Sequence, residues 1–260
     1  MKLAGTFIGA VAALALAPAA QAASIAFERT VSAPHSSSAR IFKARPGGLG
    51  EVLLASPRGD LPTAPSFSAD GRRLVFERQS RIGYGSISIA RADGRGERAV
   101  PGEGHHPSLS PDGKRLALDS GGYVWTEALD GSQRTRVVRG ADPEFSPDGR
   151  GIAFVWDGDV YVSRSGQVRR LTTDGDNAGP TWAPSGKALA FWHMGQNDTV
   201  ERVKADGTGR RSLHAGMQPA WSPDGKKIAF ASNGGVWTMS SAAAGAKLVV
   251  RNAFLPAWQP

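Results

Sequence analysis

The chain has 260 residues, which suits one large all-β domain able to bury its own core, and it contains no cysteine. Disulfides, thiolate metal sites, a cysteine nucleophile and a lipidated N-terminal cysteine are therefore excluded. A formal net charge of +8 admits nucleic acid, acidic polymers or anionic lipid as partners, so the placement of the charges has to decide among them.

Residues 1–22 read as a secretory signal peptide. Lys2 gives a short positive region, and Leu3 to Ala17 is apolar or small apart from Thr6. Pro18 then breaks the helix, and Ala20-Gln21-Ala22 fits a small-x-small cleavage site. The apolar run is shorter than the ~20 residues of a spanning helix. The expectation is a periplasmic or secreted chain, residues 23–260, with no membrane span after cleavage.

From residue 25 onward one phrase recurs. Its first complete copy is Pro65-Ser-Phe-Ser-Ala-Asp-Gly-Arg-Arg-Leu-Val-Phe76, and others begin at Pro107, Pro143, Pro180 and Pro219. The successive spacings are 42, 36, 37 and 39 residues, which is a repeat architecture. In each copy a short strand carries an aromatic residue or Leu. A Ser-Pro-Asp-Gly-type turn follows, with Pro presetting φ, Asp bonding nearby amides and Gly taking positive φ. An Ile-Ala-Phe-type strand returns. Two more strands follow, as in Gly122-Tyr-Val-Trp125 and Thr135-Arg-Val-Val138, with Asp-Gly or Ser-Gly punctuation between them. Four short strands make one propeller blade.

The count closes at six. Ile25-Ala-Phe27 starts in mid-phrase, and Pro256-Ala-Trp-Gln-Pro260 stops in mid-phrase. Joined, they complete a sixth copy. The expected fold is therefore an all-β, six-bladed propeller of four-stranded blades. Pairing of the C-terminal strand with the N-terminal strand closes it and removes the open edges.

The phrase Trp221-Ser-Pro-Asp-Gly-Lys-Lys-Ile-Ala-Phe230 resembles the repeats of the TolB-type six-bladed propeller family. The resemblance spans essentially the whole of residues 23–260 and is specific as to fold. It implies a periplasmic propeller that binds other proteins. It leaves no room for the α/β domain that precedes the propeller in TolB, nor for the hydrolase domain of the prolyl oligopeptidase relatives.

The topology sorts the charges by face. Arg72, Arg73, Lys114, Arg115, Arg150, Lys187, Lys226 and Lys227 follow the repeated Gly, beside Asp70, Asp112, Asp148 and Asp224. That pattern is solvated turn chemistry, so nucleic acid is not an expected partner. The opposite face, at the mouth of the central channel, is irregular. The candidate ligand-binding residues there are His105, His106, Asp142, Glu144 and Gln218, with Trp156, Trp192 and His193 offering flat or polar surface. Glu144 stands where the other copies have Ser66, Ser108, Thr181, Ala220 and Ala257. It either lines a water-filled channel or pairs with an Arg. Adjacent histidines in a strand point to opposite sides, so one of His105 and His106 reaches inward, and no metal or cofactor is expected. No catalytic motif is present: neither a Gly-x-Ser-x-Gly elbow, nor His-Glu-x-x-His, nor a phosphate-binding loop. The reading is a monomeric, non-enzymatic scaffold for an envelope protein or peptide. The alternative is a metal-dependent lyase or hydrolase acting on an acidic polysaccharide.

Overall fold

A computed structural model describes residues 23–33, 36–46, 48–80 and 85–260. The signal segment, 1–22, lies outside the described residues. The first three strands are β1 (Ser24–Ala33), β2 (Ser36–Ala44) and β3 (Val52–Ala55). The next blade holds β4 to β7 (Leu61–Phe67, Arg73–Gln79, Gly85–Arg91, Arg98–Glu103). The third holds β8 to β11 (His105–Leu109, Arg115–Ser120, Tyr123–Ala128, Thr135–Arg139). The fourth holds β12 to β15 (Ala141–Phe145, Gly151–Trp156, Asp159–Arg164, Gln167–Arg170). The fifth holds β16 to β19 (Asn177–Trp182, Ala188–His193, Thr199–Lys204, Arg211–Ala215). The sixth holds β20 to β23 (Met217–Trp221, Lys227–Ser232, Gly235–Ser240, Lys247–Arg251). The last strand, β24 (Phe254–Gln259), does not start a blade of its own.

It completes the first one. The sheet order is β24-β1-β2-β3, and β24 runs antiparallel to β1 with Ile25 opposite Trp258 and Ala26 opposite Ala257. The six sheets each have four strands. The first and last strands thus share one sheet, as the split phrase requires.

The core lies in the seams between blades. Phe27, Phe76, Phe154, Phe191 and Phe230, each closing an Ile-Ala-Phe-type strand, are fully buried. Phe27 and Ile25 pack with Trp258, Ala229 and Val250 across the closing seam. Phe191, Leu189 and Trp182 pack with Val160 and Leu171 of the preceding blade. Trp221 fills the next seam with Ile228 and Phe230. Burying each such ring is worth roughly 1.5–3 kcal/mol, so the ring closes on apolar area alone, without a covalent staple.

The repeated turn explains its own polar residues. Around Ser222 the hydroxyl donates to Asp224 Oδ1 at 2.7 Å and accepts from the Lys227 amide at 2.8 Å, while the Lys226 amide donates to Asp224 Oδ1 at 3.0 Å. The same hydroxyl–carboxylate bond recurs at Ser68–Asp70, Ser110–Asp112 and Ser146–Asp148. These Asp carboxyls are held below their usual range, chiefly by the Ser hydroxyl and then by the turn amide. Positive φ at Gly225 (68°) lets the amide chain turn back. The turn face spends its acids on its own backbone.

Candidate binding site in the central channel

Each inner strand bends at the same place. The residue before the repeated Pro has left-handed φ in all six blades: Ala64 48°, His106 48°, Asp142 50°, Gly179 52°, Gln218 54° and Leu255 49°. At that point the register with the second strand slips, for example between His105 and Ser108 and between Ala141 and Glu144. This is a β-bulge, which inserts one residue and re-aims a side chain. The six bulge residues, the six prolines and the residues just after them line one cavity of about 410 Å³ at the propeller axis. A non-glycine residue at such φ is uncommon, with His and Asp among the better tolerated.

The amides freed by the bulges are satisfied around the mouth. His106 N donates to Glu77 Oε2 at 3.4 Å and Asp142 N to Asp119 Oδ1 at 3.1 Å. Gly179 N donates to Asp142 Oδ2 at 3.1 Å and Leu255 N to Gln218 Oε1 at 3.2 Å. Each bond crosses from one blade to the next, so the mouth is a hydrogen-bonded hoop.

The chemistry of the mouth is lopsided. After the Phe or Leu of the second strand, three consecutive blades carry Glu28, Glu77 and Asp119, whereas the other three carry Val155, Trp192 and Ala231. Each acid reaches the next inner strand. Thr63 donates its hydroxyl to Glu28 Oε2 at 2.6 Å, and His105 Nδ1 lies 2.7 Å from Glu77 Oε1. His106 Nδ1 lies 2.8 Å from Asp119 Oδ1 and 3.0 Å from Asp142 Oδ1. Desolvation opposes charge on His106, but the hydrogen bond to Asp119 and the fields of Asp142, Asp119 and Glu77 outweigh it and lift the imidazole to about 9. Burial raises the Glu28 carboxyl despite the Thr63 bond.

Glu144 lines the channel, and the partners of its carboxylate among the described residues are Thr181 and Trp182, not an Arg. Its Oε1 accepts from the Trp182 amide at 3.3 Å and faces the Thr181 hydroxyl at 3.4 Å, while Trp182 Nε1 donates to its backbone carbonyl at 3.3 Å. Burial pushes the carboxyl up to about 8, so near neutrality it is mostly protonated and can donate a hydrogen bond to an occupant.

Of the residues nominated from sequence, His106, Asp142, Glu144, Gln218 and Trp192 line the cavity together. His105, Trp156 and His193 do not. His105 turns to Glu77. Trp156 is 41% exposed and leans on Tyr161, with ring centres 5.6 Å apart. His193 stands by Asn177 (3.3 Å) and Asp174 (3.4 Å), in a network that pins the 173–176 loop through Arg210 and buried Asp159. Asp119 was not nominated, although Glu28 and Glu77 at the matching position are a signal for it. His106, Asp119 and Asp142 are also the group able to hold a metal ion, their ligand atoms all lying within 4.8 Å of one another. No helix among the described residues is long and apolar enough to cross a membrane.

Residues 64–239 match the TolB beta propeller domain. The solved structure of TolB from Acinetobacter baumannii superposes with a TM-score of 0.79 at 21% identity, over 91% of this chain and 66% of that one. The chain thus spans just under two thirds of that protein's length. A chain of a nidogen/laminin complex gives a TM-score of 0.73 at 14% identity, covering 92% of this chain and 98% of that one. An oligogalacturonate lyase from Vibrio parahaemolyticus gives 0.54 at 11% identity, covering 82% and 72%. At these identities the likenesses establish the fold alone. No curated protein matches the sequence.

Proposed function

The chain belongs to the TolB β-propeller family, and from that premise we propose that it is an exported, non-catalytic scaffold that takes a peptide segment of an envelope protein at the channel mouth. The observation that carries this reading is the composition of the cavity wall. Although the chain has 31 Lys and Arg, none lines the cavity among the described residues. One side presents His106, Asp142 and Glu144, and the other presents Trp192, Leu255 and Ala257. A peptide offers both amide groups and apolar side chains, so it can use both sides at once. The cavity falls in the range of roughly 300–1,000 Å³ typical of ligand sites, and a rigid ring holds it open without ordering cost. Export rests on the 1–22 segment.

The test is site-specific photo-crosslinking in envelope extract. A crosslinker at Leu255 should capture one partner, one at Arg150 on the turn face should not, and Trp192→Ala should weaken capture at Leu255. Equal capture from both faces, or none from Leu255, overturns the reading.

The competing reading is a metal-dependent lyase or hydrolase of an acidic polysaccharide. The convergence of His106, Asp119 and Asp142 favours it. The absence of Lys and Arg from the cavity wall, among the described residues, opposes it, since a polyanion would find neither side chain there to pair with.

A further inference from the structure

We propose that His106, Asp119 and Asp142 form a binding site for a divalent ion of the zinc and manganese class at the channel mouth. The three side chains come from separate elements of two adjacent blades: the β8 bulge, the end of β9 and the β12 bulge. Their contacting atoms are His106 Nδ1, Asp119 Oδ1 and Asp142 Oδ1, with the imidazole nitrogen 2.8 Å and 3.0 Å from the two oxygens. In a tetrahedral site with bonds of about 2.0–2.2 Å, neighbouring ligand atoms stand about 3.3–3.6 Å apart. The two nitrogen–oxygen pairs reach that spacing by opening about 0.3–0.8 Å, and all three ligand atoms already lie within 4.8 Å of one another.

Hydrogen bonding leaves the cluster underserved. An imidazole Nδ1 carries at most one hydrogen, yet two carboxylates face it. Among the described residues the ion pairs of Asp119 and Asp142 go to His106 alone. An ion would serve all three atoms at once. The carboxylates are already oriented for it, because the Asp142 amide holds Asp119 and the Gly179 amide holds Asp142. Such outer contacts fix ligand geometry in metal sites.

Among the described residues no other group of three or more His or acidic side chains has this arrangement. Glu77 meets His105, but the neighbouring Glu28 is occupied by Thr63, so no third ligand joins them. The turn aspartates are consumed by a hydroxyl and an amide. One imidazole with two carboxylates suits zinc or manganese, whereas calcium and magnesium favour all-oxygen sets. His106 and Asp142 also line the cavity, so the ion's remaining positions would take water or an anionic oxygen of whatever enters.

This inference goes beyond the peptide reading and does not depend on it. The test is isothermal titration of the purified chain with zinc chloride, manganese chloride and calcium chloride. Zinc should bind at one ion per chain, manganese more weakly, and calcium weakest. His106→Ala and Asp142→Asn should each weaken zinc about 100-fold or more, since even outer-shell changes cost 10–100-fold. His214→Ala, at a half-buried ring beside Phe230, should leave it unchanged. Asp119→Asn, a change as conservative as Asp142→Asn and in the other blade, covers the case in which another variant misfolds, as judged by circular dichroism. Absence of zinc binding overturns the proposal, and so does binding that survives His106→Ala and Asp119→Asn. Crosslinking from Leu255 repeated in chelator separates the two ideas: capture that persists leaves the peptide reading standing whatever the titration shows.

Discussion

The two ends of the propeller use repetition in opposite ways. At the turn end, backbone and side chains repeat together: Ser, Asp and Gly recur, and their polar atoms close on one another. At the mouth end the backbone repeats, with left-handed φ before all six prolines, but the residue there is Ala, His, Asp, Gly, Gln or Leu. A regular backbone holding irregular side chains costs strain of order 1 kcal/mol per non-glycine residue, and at Ala64 and Leu255 the side chain has no polar atom with which to offset it. The turn end is therefore built for stability, whereas the mouth repeats only its backbone and leaves its side chains variable, as the proposed recognition role requires.

The comparison presupposes a closed ring, and the largest expected effect comes from opening it. Removing residues 254–260 deletes β24, strips the closing seam of Trp258 and leaves β1 as an exposed edge. The truncated chain should lose its cooperative melting transition and go largely insoluble. A soluble truncation melting like the intact chain would mean that the seam is dispensable. Next comes Ser146→Ala at the turn end. The Ser146 hydroxyl is buried, donates to Asp148 at 2.6 Å and accepts from the Gly151 amide at 2.8 Å. Its loss leaves a buried N–H without a partner and should cost about 1–3 kcal/mol. Chemical denaturation measures it, and a change below about 0.5 kcal/mol would remove the claim that the turn network stabilises.

The sequence announced the turn end because its physics is local. Ser, Pro, Asp and Gly within four residues define the turn, and the split phrase at Ile25 and Pro256 defines closure. The mouth was legible only in part. The bulge was hidden, because a residue before Pro normally favours extended backbone. Asp119 was missed because its partners lie 13 and 23 residues away, one of them in the neighbouring blade. Trp156 and His193 were nominated beside Trp192, yet strand alternation separates them. Trp192 follows Phe191 directly and lines the cavity, whereas Trp156 and His193 each stand two residues past their Phe and face away. Glu28, Glu77 and Asp119 share the position of Trp192. Period two, carried from each strand into its rim, holds that pattern in the sequence itself.

Titration separates the two ends. The turn aspartates have lowered carboxyls, so their contribution holds above the unfolded value near 4 and fades as pH falls below it. Glu144 acts in the other direction. Its folded value is raised from 4.5 to about 8, so the unfolded chain ionises first as pH rises. Stability should decline from about pH 5 to pH 8 through Glu144, and the raised His106 imidazole should add its own decline from about pH 6.5 to pH 9. Each tenfold weakening of the acid on folding is worth about 1.4 kcal/mol, or roughly 3–5 °C in melting temperature for a domain of this size. Glu144→Gln should flatten the Glu144 share of that decline, most visibly below about pH 6.5, while leaving the acid limb in place. Melting curves in chelator across pH 4–9 measure both, and an unchanged slope in the variant would show that Glu144 is ionised in the folded channel.

The smallest effect is the most direct probe of the mouth's backbone. Gly179 is the glycine of the hoop, at φ 52°, and a Cβ built there meets nothing within 4 Å. Gly179→Ala therefore adds left-handed strain without a clash. It should cost about 1 kcal/mol, moderated by the lower entropy of the unfolded Ala chain. Ala64→Gly makes the reverse change at the matching position, φ 48°, and should be neutral or stabilising by up to about 0.5 kcal/mol. Opposite signs at two equivalent positions are hard to obtain from packing, since neither change removes more than a methyl group. If both variants were destabilised equally, the strain at the bulges would be negligible. The variety of residues before the six prolines would then reflect tolerance, and the case for the mouth as a recognition surface would fall back on the cavity wall alone.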